Sequence, residues 1–262
     1  MNPNHSQPSS PQSPYEESKD FLSHLDDLQA VLIKGTVAVL LGMGVCFFFA
    51  RSLFDILLFP YETFLQQQET LLFHNAYLIK SLSPYETLTL SMKISFLCGI
   101  VVVSPYLLYQ VWNYMHPALY GHERRYLNVF FCLSPVLFLI GVLFCYQMVF
   151  PIGLVFLWKY SLHMGVLPDW TVSYYMNFIM GFLFAFGLCF QLPIFILILT
   201  RLNIVSQALL ARKRRYAVVI IFIVAALLSP ADIFSQFLLA VPMVALYELS
   251  LILTIFMSHN EK

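Results

Sequence analysis

The costly polar side chains within the apolar stretches of this 262-residue chain are Lys93, Gln191 and Glu248. A charge at the centre of a hydrocarbon layer costs ~2.5–3.5 kcal/mol, so such a group implies a partner, a water pocket or an interface. Lys93 stands near the start of its run, where the amine reaches headgroups by extending along the helix. Glu248 sits either within the layer or, if its helix is short, at the inner interface. Gln191 is uncharged and suits a hydrogen bond to a neighbouring helix. Between the runs, Glu123 beside Arg124 and Arg125 reads, taken alone, as a solvated loop charge. The histidines show neither HExxH nor i, i+4 pairing. The cysteines (Cys46, Cys98, Cys132, Cys145, Cys189) are single and apolar in setting, without CxxC, and suit small core hydrophobes. There is no P-loop. The residues therefore offer no metal, no cofactor and no catalytic nucleophile. The expectation is a protein that is not an enzyme. A net charge of zero supplies no field for nucleic acid.

The elements that must position these groups follow from composition. Hydrophobic residues make up 60% of the chain and charged ones 11%. A soluble domain is nearer a quarter charged. That excess of apolar side chain calls for lipid as solvent. Six apolar runs stand out, at about 31–50, 87–112, 126–158, 174–199, 216–229 and 233–257. A span needs about 20 residues at ~1.5 Å each. The fifth run, and the part of the sixth before Glu248, fall short, so each is either re-entrant or a short span that thins the bilayer. Residues 1–20 are rich in proline and serine and lack an apolar h-region, and read as a disordered tail. A second short tail covers 258–262, leaving 21–257 as the membrane domain.

Charge orients the runs. With the N-terminus inside and six crossings, Lys19, Lys34, Arg124, Arg125, Arg201, Arg212, Lys213, Arg214, Arg215 and Lys262 lie inside. Only Arg51, Lys80 and Lys159 lie outside, and Lys93 is within a run. That bias favours both termini in the cytoplasm. The 51–86 loop carries apolar patches at 54, 56–59 and 71–73, suited to lying along the membrane surface. Pro105, Pro135, Pro193 and Pro242 fall inside the runs, and Pro60, Pro84, Pro117 and Pro230 lie in the connections. A proline in a membrane helix frees a carbonyl that needs a partner, so these residues shape the helices around them.

Five strings, in order along residues 21–257, resemble the TatC family of twin-arginine translocase subunits. Phe21-Leu22-Ser23-His24-Leu25-Asp26-Asp27-Leu28 is similar to the family's amphipathic leader. Ser83-Pro84-Tyr85-Glu86 through Lys93 resembles the start of its second span. Leu108-Tyr109-Gln110-Val111-Trp112, followed by Pro117-Ala118-Leu119-Tyr120-Gly121-His122-Glu123-Arg124, is similar to its LYQxW…PxLYxxER signature. Phe190-Gln191-Leu192-Pro193 resembles its FExP site, with an amide where the family has an acid. Ser229-Pro230-Ala231-Asp232-Ile233-Phe234-Ser235-Gln236, then Pro242 and Tyr247-Glu248, resembles its PPDxxSQ…P…YE ending.

The resemblance implies an all-α membrane fold of six transmembrane helices in a concave cup, with short fifth and sixth helices. It implies a receptor in the cell inner membrane that binds twin-arginine signal peptides of folded cargo. Partners would be TatB- and TatA-like single-span proteins, driven by the proton-motive force, other copies of itself, and lipid. The carried-over recognition acids are Asp27 and Glu123, with His24, Leu119, Tyr120 and Arg124 around them. Carboxylates suit that role because guanidinium forks pair with them through two hydrogen bonds. Gln191, Asp232, Gln236, Glu248 and Lys93 would be the intramembrane or structural polar set. The leader departs from the family at Asp27, Gln29 and Val31. A small-solute or ion transporter using Lys93, Gln191 and Glu248 is the alternative, and would need a closed pocket at mid-bilayer rather than a cup open to lipid. A structural scaffold, assembling with partners but binding no twin-arginine peptide, is a third reading.

Overall fold

Backbone groups in lipid have no water to bond, so apolar runs of this length close their hydrogen bonds as helices. The computed structural model describes residues 14–67, 81–115, 124–166, 168, 170–201, 205–229 and 232–259. Side chains are described within 26–64, 81–114, 132–166, 168, 170–201, 205–229 and 232–255. The order is α1 (Pro14–Phe48), α2 (Ala50–Gln67), α3 (Glu86–Met115), α4 (Arg124–Phe144), a π-turn (Cys145–Val149), α5 (Phe150–His163), α6 (Val172–Cys189), α7 (Leu192–Arg201), α8 (Gln207–Arg212), α9 (Arg214–Leu228) and α10 (Ile233–His259). The first turns of α1 fall within the 1–20 stretch that composition reads as a tail.

Among the described residues, five segments are long and apolar enough to cross a membrane: Asp26–Phe48, Glu86–Tyr114, Cys132–His163, Val172–Arg201 and Ile233–Ile255. α9 has 15 residues, a rise of about 22 Å. Two of the long runs are broken next to a proline. Pro151 follows the π-turn, in which the Phe150 amide bonds back to Cys145 O. Pro193 is the second residue of α7, and Phe190 and Gln191 form the break before it.

α6 lies at the centre. It buries Tyr175, Met176, Ile179, Phe182 and Phe186 and is apolar on nearly every face, as a helix surrounded by protein should be. By contrast, Leu41, Phe48, Val102 and Leu227 are 66%, 90%, 66% and 80% exposed. Large apolar side chains left open in this way face lipid rather than water.

Two glycine seams bring helices together. α1 packs along α3. A Cβ on Gly99 would stand 2.7 Å from the Met43 nitrogen, and one on Gly42 would stand 2.6 Å from Val103. α4 meets α6 where a Cβ on Gly141 would stand 2.7 Å from Phe186 O and one on Gly187 would meet the Phe138 ring. Small residues let backbones close to van der Waals contact, which drives association in lipid where no hydrophobic force exists between helices.

The carbonyls freed by proline find named partners. Pro60 deprives Ile56 O of its helical donor, and the Tyr146 hydroxyl supplies one at 2.6 Å. Tyr175 donates to the adjacent Leu57 O at 2.8 Å, which fastens α2 to α6. Pro105 frees Val101 O, and the Ser104 hydroxyl takes it at 2.7 Å. Pro84 sits in the turn before α3, and Pro242 lies inside α10. Pro117 and Pro230 lie outside the described residues.

Candidate functional site

The two glycine contacts fix the register of α1 against α3. Gly42 meets Gly99, and a Cβ on Gly35 would touch Leu107 at 3.4 Å. The pair is therefore antiparallel. Continuing that register sets Asp27 level with the last turn of α3, from which the chain runs into 116–123. Asp26 and Asp27 are exposed. Glu123, Leu119 and Tyr120 lie outside the described residues, as do the side chains of His24 and Arg124. Arg124 is the first residue of α4. The backbone thus brings the leader and the two ends of the 116–123 connection to one end of the bundle.

The same end holds polar atoms that the residues did not flag. Gln110 lies on the stripe of α3 (Gly99, Val103, Tyr106) that faces α1. It is buried, and among the described residues its Oε1 has no hydrogen-bond partner. Trp112 packs on Ile194, Leu197 and Ile198 of α7, and its Nε1 is likewise buried and without a partner among the described residues. Buried polar atoms are nearly always satisfied, so each orphan marks a place that a further donor or acceptor can fill.

The intramembrane polar set is distributed, not gathered into one pocket. Gln191 joins the α6–α7 break to α4: Ser134 Oγ donates to Gln191 Oε1 at 2.6 Å, and Gln191 Nε2 donates to Ser134 O at 2.9 Å. Gln236 Nε2 donates to Phe222 O at 3.0 Å, tying α10 to α9. Asp232 caps α10, accepting from the Ser235 amide at 2.6 Å. Lys93 Nζ donates to Asn177 Oδ1 of α6 at 3.2 Å, a partner the sequence did not name. Glu248 pairs with Arg214 at 3.3 Å, the two side chains 39% and 51% exposed. It therefore lies level with the basic block at the start of α9. Lys213 and Arg215 flank the Tyr216 ring at 5.0 and 5.1 Å. Tyr247 donates to Leu210 O at 3.0 Å, which straps α8 to α10.

Glu86 is the residue that sequence reasoning undervalued. Its carboxylate accepts from Ser81 Oγ at 2.8 Å, the Ser83 amide at 3.3 Å, the Leu82 amide and, from α6, the Ser173 amide at 3.2 Å. One carboxylate thus closes the start of α3 and holds it to the start of α6. The signal was present: Ser83-x-x-Glu86 before an apolar run is a capping box, with the glutamate returning to the capping residue's amide.

Gln191 gives the first prediction. Gln191→Leu removes both bonds to Ser134, which is fully buried. Interhelical bonds of this kind contribute about 0.6 to 1.7 kcal/mol, so thermal stability in detergent should fall. Gln191→Glu retains an acceptor for the Ser134 hydroxyl and should keep most of that stability. A melting temperature of Gln191→Leu equal to the parent's would show the amide to be dispensable.

Comparison with known proteins places this geometry. Residues 23–242 match the family described as Sec-independent protein translocase protein (TatC). A protein of that name from Aquifex aeolicus (strain VF5) is 34% identical over 231 residues, 88% of this chain and 92% of the relative. The Escherichia coli (strain K12) protein of that name is 33% identical over 234 residues, covering 89% and 87%. A crystal structure of the twin arginine translocase receptor TatC superposes with a TM-score of 0.76 at 35% identity, covering 88% of this chain and 99% of the other.

Proposed function

This chain belongs to the TatC family of Sec-independent protein translocases, non-enzymatic components of protein transport, and from that premise we propose how it receives its cargo. The cargo signal is a peptide bearing paired arginines, and the receiving end is the one where Asp27 and the 116–123 segment converge. What supports this reading is the antiparallel α1–α3 register, which sets an exposed acid of the leader level with the last described turn of α3. Asp27 and Glu123 each offer a fork to one guanidinium. His24, Leu119, Tyr120 and Arg124 frame the peptide, and Gln110 Oε1 offers a buried acceptor behind it.

The multi-pass bundle lies in the cell inner membrane with six crossings and both termini in the cytoplasm. Residues 21–257 form the membrane domain, between tails at 1–20 and 258–262. α9 is the fifth crossing. Its 15 residues run beside α10, with Gln236 on Phe222 at its middle and Glu248 on Arg214 at its start. The membrane thins around this short pair, and the helices together form a concave cup open to lipid. TatB- and TatA-like single-span proteins and further copies of this chain join it there to form the translocase. The distribution of Lys93, Gln191 and Glu248 over three separate helix contacts supports this reading over a small-solute transporter, which would gather them around one substrate.

Two experiments test this. Photo-crosslinkers at positions 24–29 and 116–125 should capture a twin-arginine peptide in membranes, while probes at 81–86 should not. Capture only from 81–86 would overturn the site. For topology, cysteines at 124 and 212 should label only after the membrane is opened, and cysteines at 80 and 159 in intact cells. Labelling of position 212 in intact cells would contradict the orientation.

A further inference from the structure

A recess of about 370 Å³ opens where α5, α6 and the start of α10 meet. That size is at the lower end for a bound small molecule or one lipid chain. Its walls are apolar: Leu154 and Leu157 of α5 and Phe178 of α6. Trp170 and Tyr174 stand at the same end, and Tyr174 is 75% exposed. Aromatic side chains of this kind mark the level of lipid headgroups.

An acid lines the recess, and a base bonds one of its lining side chains. Asp232 lines it directly, and only one of its oxygens is committed to the cap of α10. Asn177 also lines it and accepts from Lys93 Nζ. That bond uses one of the ammonium's three donors. Lys93 and Asp232 make no ion pair with each other; among the described residues the acid paired with a basic side chain is Glu248. Opposite charges left apart at the edge of an apolar pocket suit an occupant that carries both signs itself.

We propose that this recess binds one phospholipid with a primary-amine zwitterionic headgroup, of the phosphatidylethanolamine class. The phosphate oxygens accept from Lys93 and from the amide nitrogen of Asn177. The headgroup ammonium, two carbons away, donates to the free oxygen of Asp232. One acyl chain lies against Leu154, Leu157 and Phe178. The apolar walls favour a lipid over free phosphate, and the acid disfavours a purely anionic headgroup by repulsion. A quaternary headgroup such as choline has no N–H to donate, so it forfeits the bond to Asp232. In the proposed topology this is the outer leaflet. The site stands apart from the peptide-receiving end, and its test does not depend on that reading.

Native mass spectrometry of the full chain in detergent tests it, by titrating phosphatidylethanolamine, phosphatidylcholine and phosphatidylglycerol of identical chains. The amine lipid should bind the parent at least about fivefold more tightly than either other lipid. Lys93→Met should weaken the amine lipid by a similar factor, and Lys93→Arg should restore it. Asp232→Asn keeps an N-cap side chain, so the helix start survives. It should erase the preference for the amine lipid while leaving phosphatidylglycerol binding intact or stronger. Equal binding of the amine and choline lipids by the parent, tighter binding of phosphatidylglycerol, or unchanged binding by Lys93→Met would each overturn the proposal.

Discussion

Gly99→Leu should abolish the packed α1–α3 pair, and with it the protein's ability to bind a signal peptide. A Cβ at Gly99 would stand 2.7 Å from the Met43 nitrogen and 3.0 Å from the Gly42 carbonyl carbon. These are backbone atoms, which no rotamer change can move aside. Overpacking of a close-packed site costs about 1–3 kcal/mol even where side chains yield, and here the helices must separate. That is a large share of a total stability of about 5–15 kcal/mol. The loss would extend to function, because this seam sets the leader's Asp27 against the end of α3. Gly44→Leu is the internal control. It lies on the same helix, and its added Cβ would meet nothing within 4 Å, so its effect should stay within about 0.5 kcal/mol. Yield and thermal stability in detergent distinguish the two. Equal behaviour of Gly99→Leu and Gly44→Leu would refute the seam.

The second large effect is expected at Glu123. Glu123→Lys should bind a twin-arginine peptide much less tightly than Glu123→Ala, because it adds repulsion to the loss of a partner. An exposed ion pair contributes only about 0.2–1 kcal/mol. Hydrogen bonds to charged groups reach about 1.5–3 kcal/mol, so a bidentate, partly desolvated contact would cost tenfold or more in affinity when lost. Asp27→Ala should have the smaller effect. Its side chain is shorter and exposed, so solvent screens what it gains. Raised salt should weaken the parent complex in the same direction. If Glu123→Lys holds the arginine peptide as tightly as the parent does, the carboxylate is not the recognition group.

Much of the architecture was written in the run lengths. The apolar runs at 31–50, 87–112, 126–158 and 174–199 lie within or closely match α1, α3, α4–α5 and α6–α7, because a hydrocarbon layer demands long apolar helices and little else does. Pro193 announced the break before α7, since a ring in place of an amide cannot continue the ladder. Pairings were less legible. Gln191 could be read as a helix-to-helix bond, but its partner Ser134 lies 57 positions away. Nothing in sequence chooses that serine over another. Pro60 predicts an orphan carbonyl, yet the donor is a tyrosine 90 positions from that carbonyl. Gly42 and Gly99 look like any glycine in an apolar run until two helices touch there. Glu86 is the opposite case: its capping motif is local and readable, but its reach to Ser173 of α6 is not.

The site was legible chiefly through its strings. Glu123 alone resembles a loop charge; its place in the LYxxER string made it a candidate. What the structure adds is the register that sets Asp27 level with the last turn of α3, and a buried Gln110 oxygen without a hydrogen-bond partner among the described residues.

The most direct measurement is the affinity of the parent chain, in lipid nanodiscs, for a twin-arginine peptide and for the same peptide with both arginines changed to lysine. Lysine keeps the charge but loses the planar fork that pairs with a carboxylate through two bonds. Recognition by the acids at the α1–α3 end predicts that the arginine peptide binds at least about tenfold tighter, and that the difference shrinks in Glu123→Ala. Equal affinity of the parent for the two peptides would contradict it.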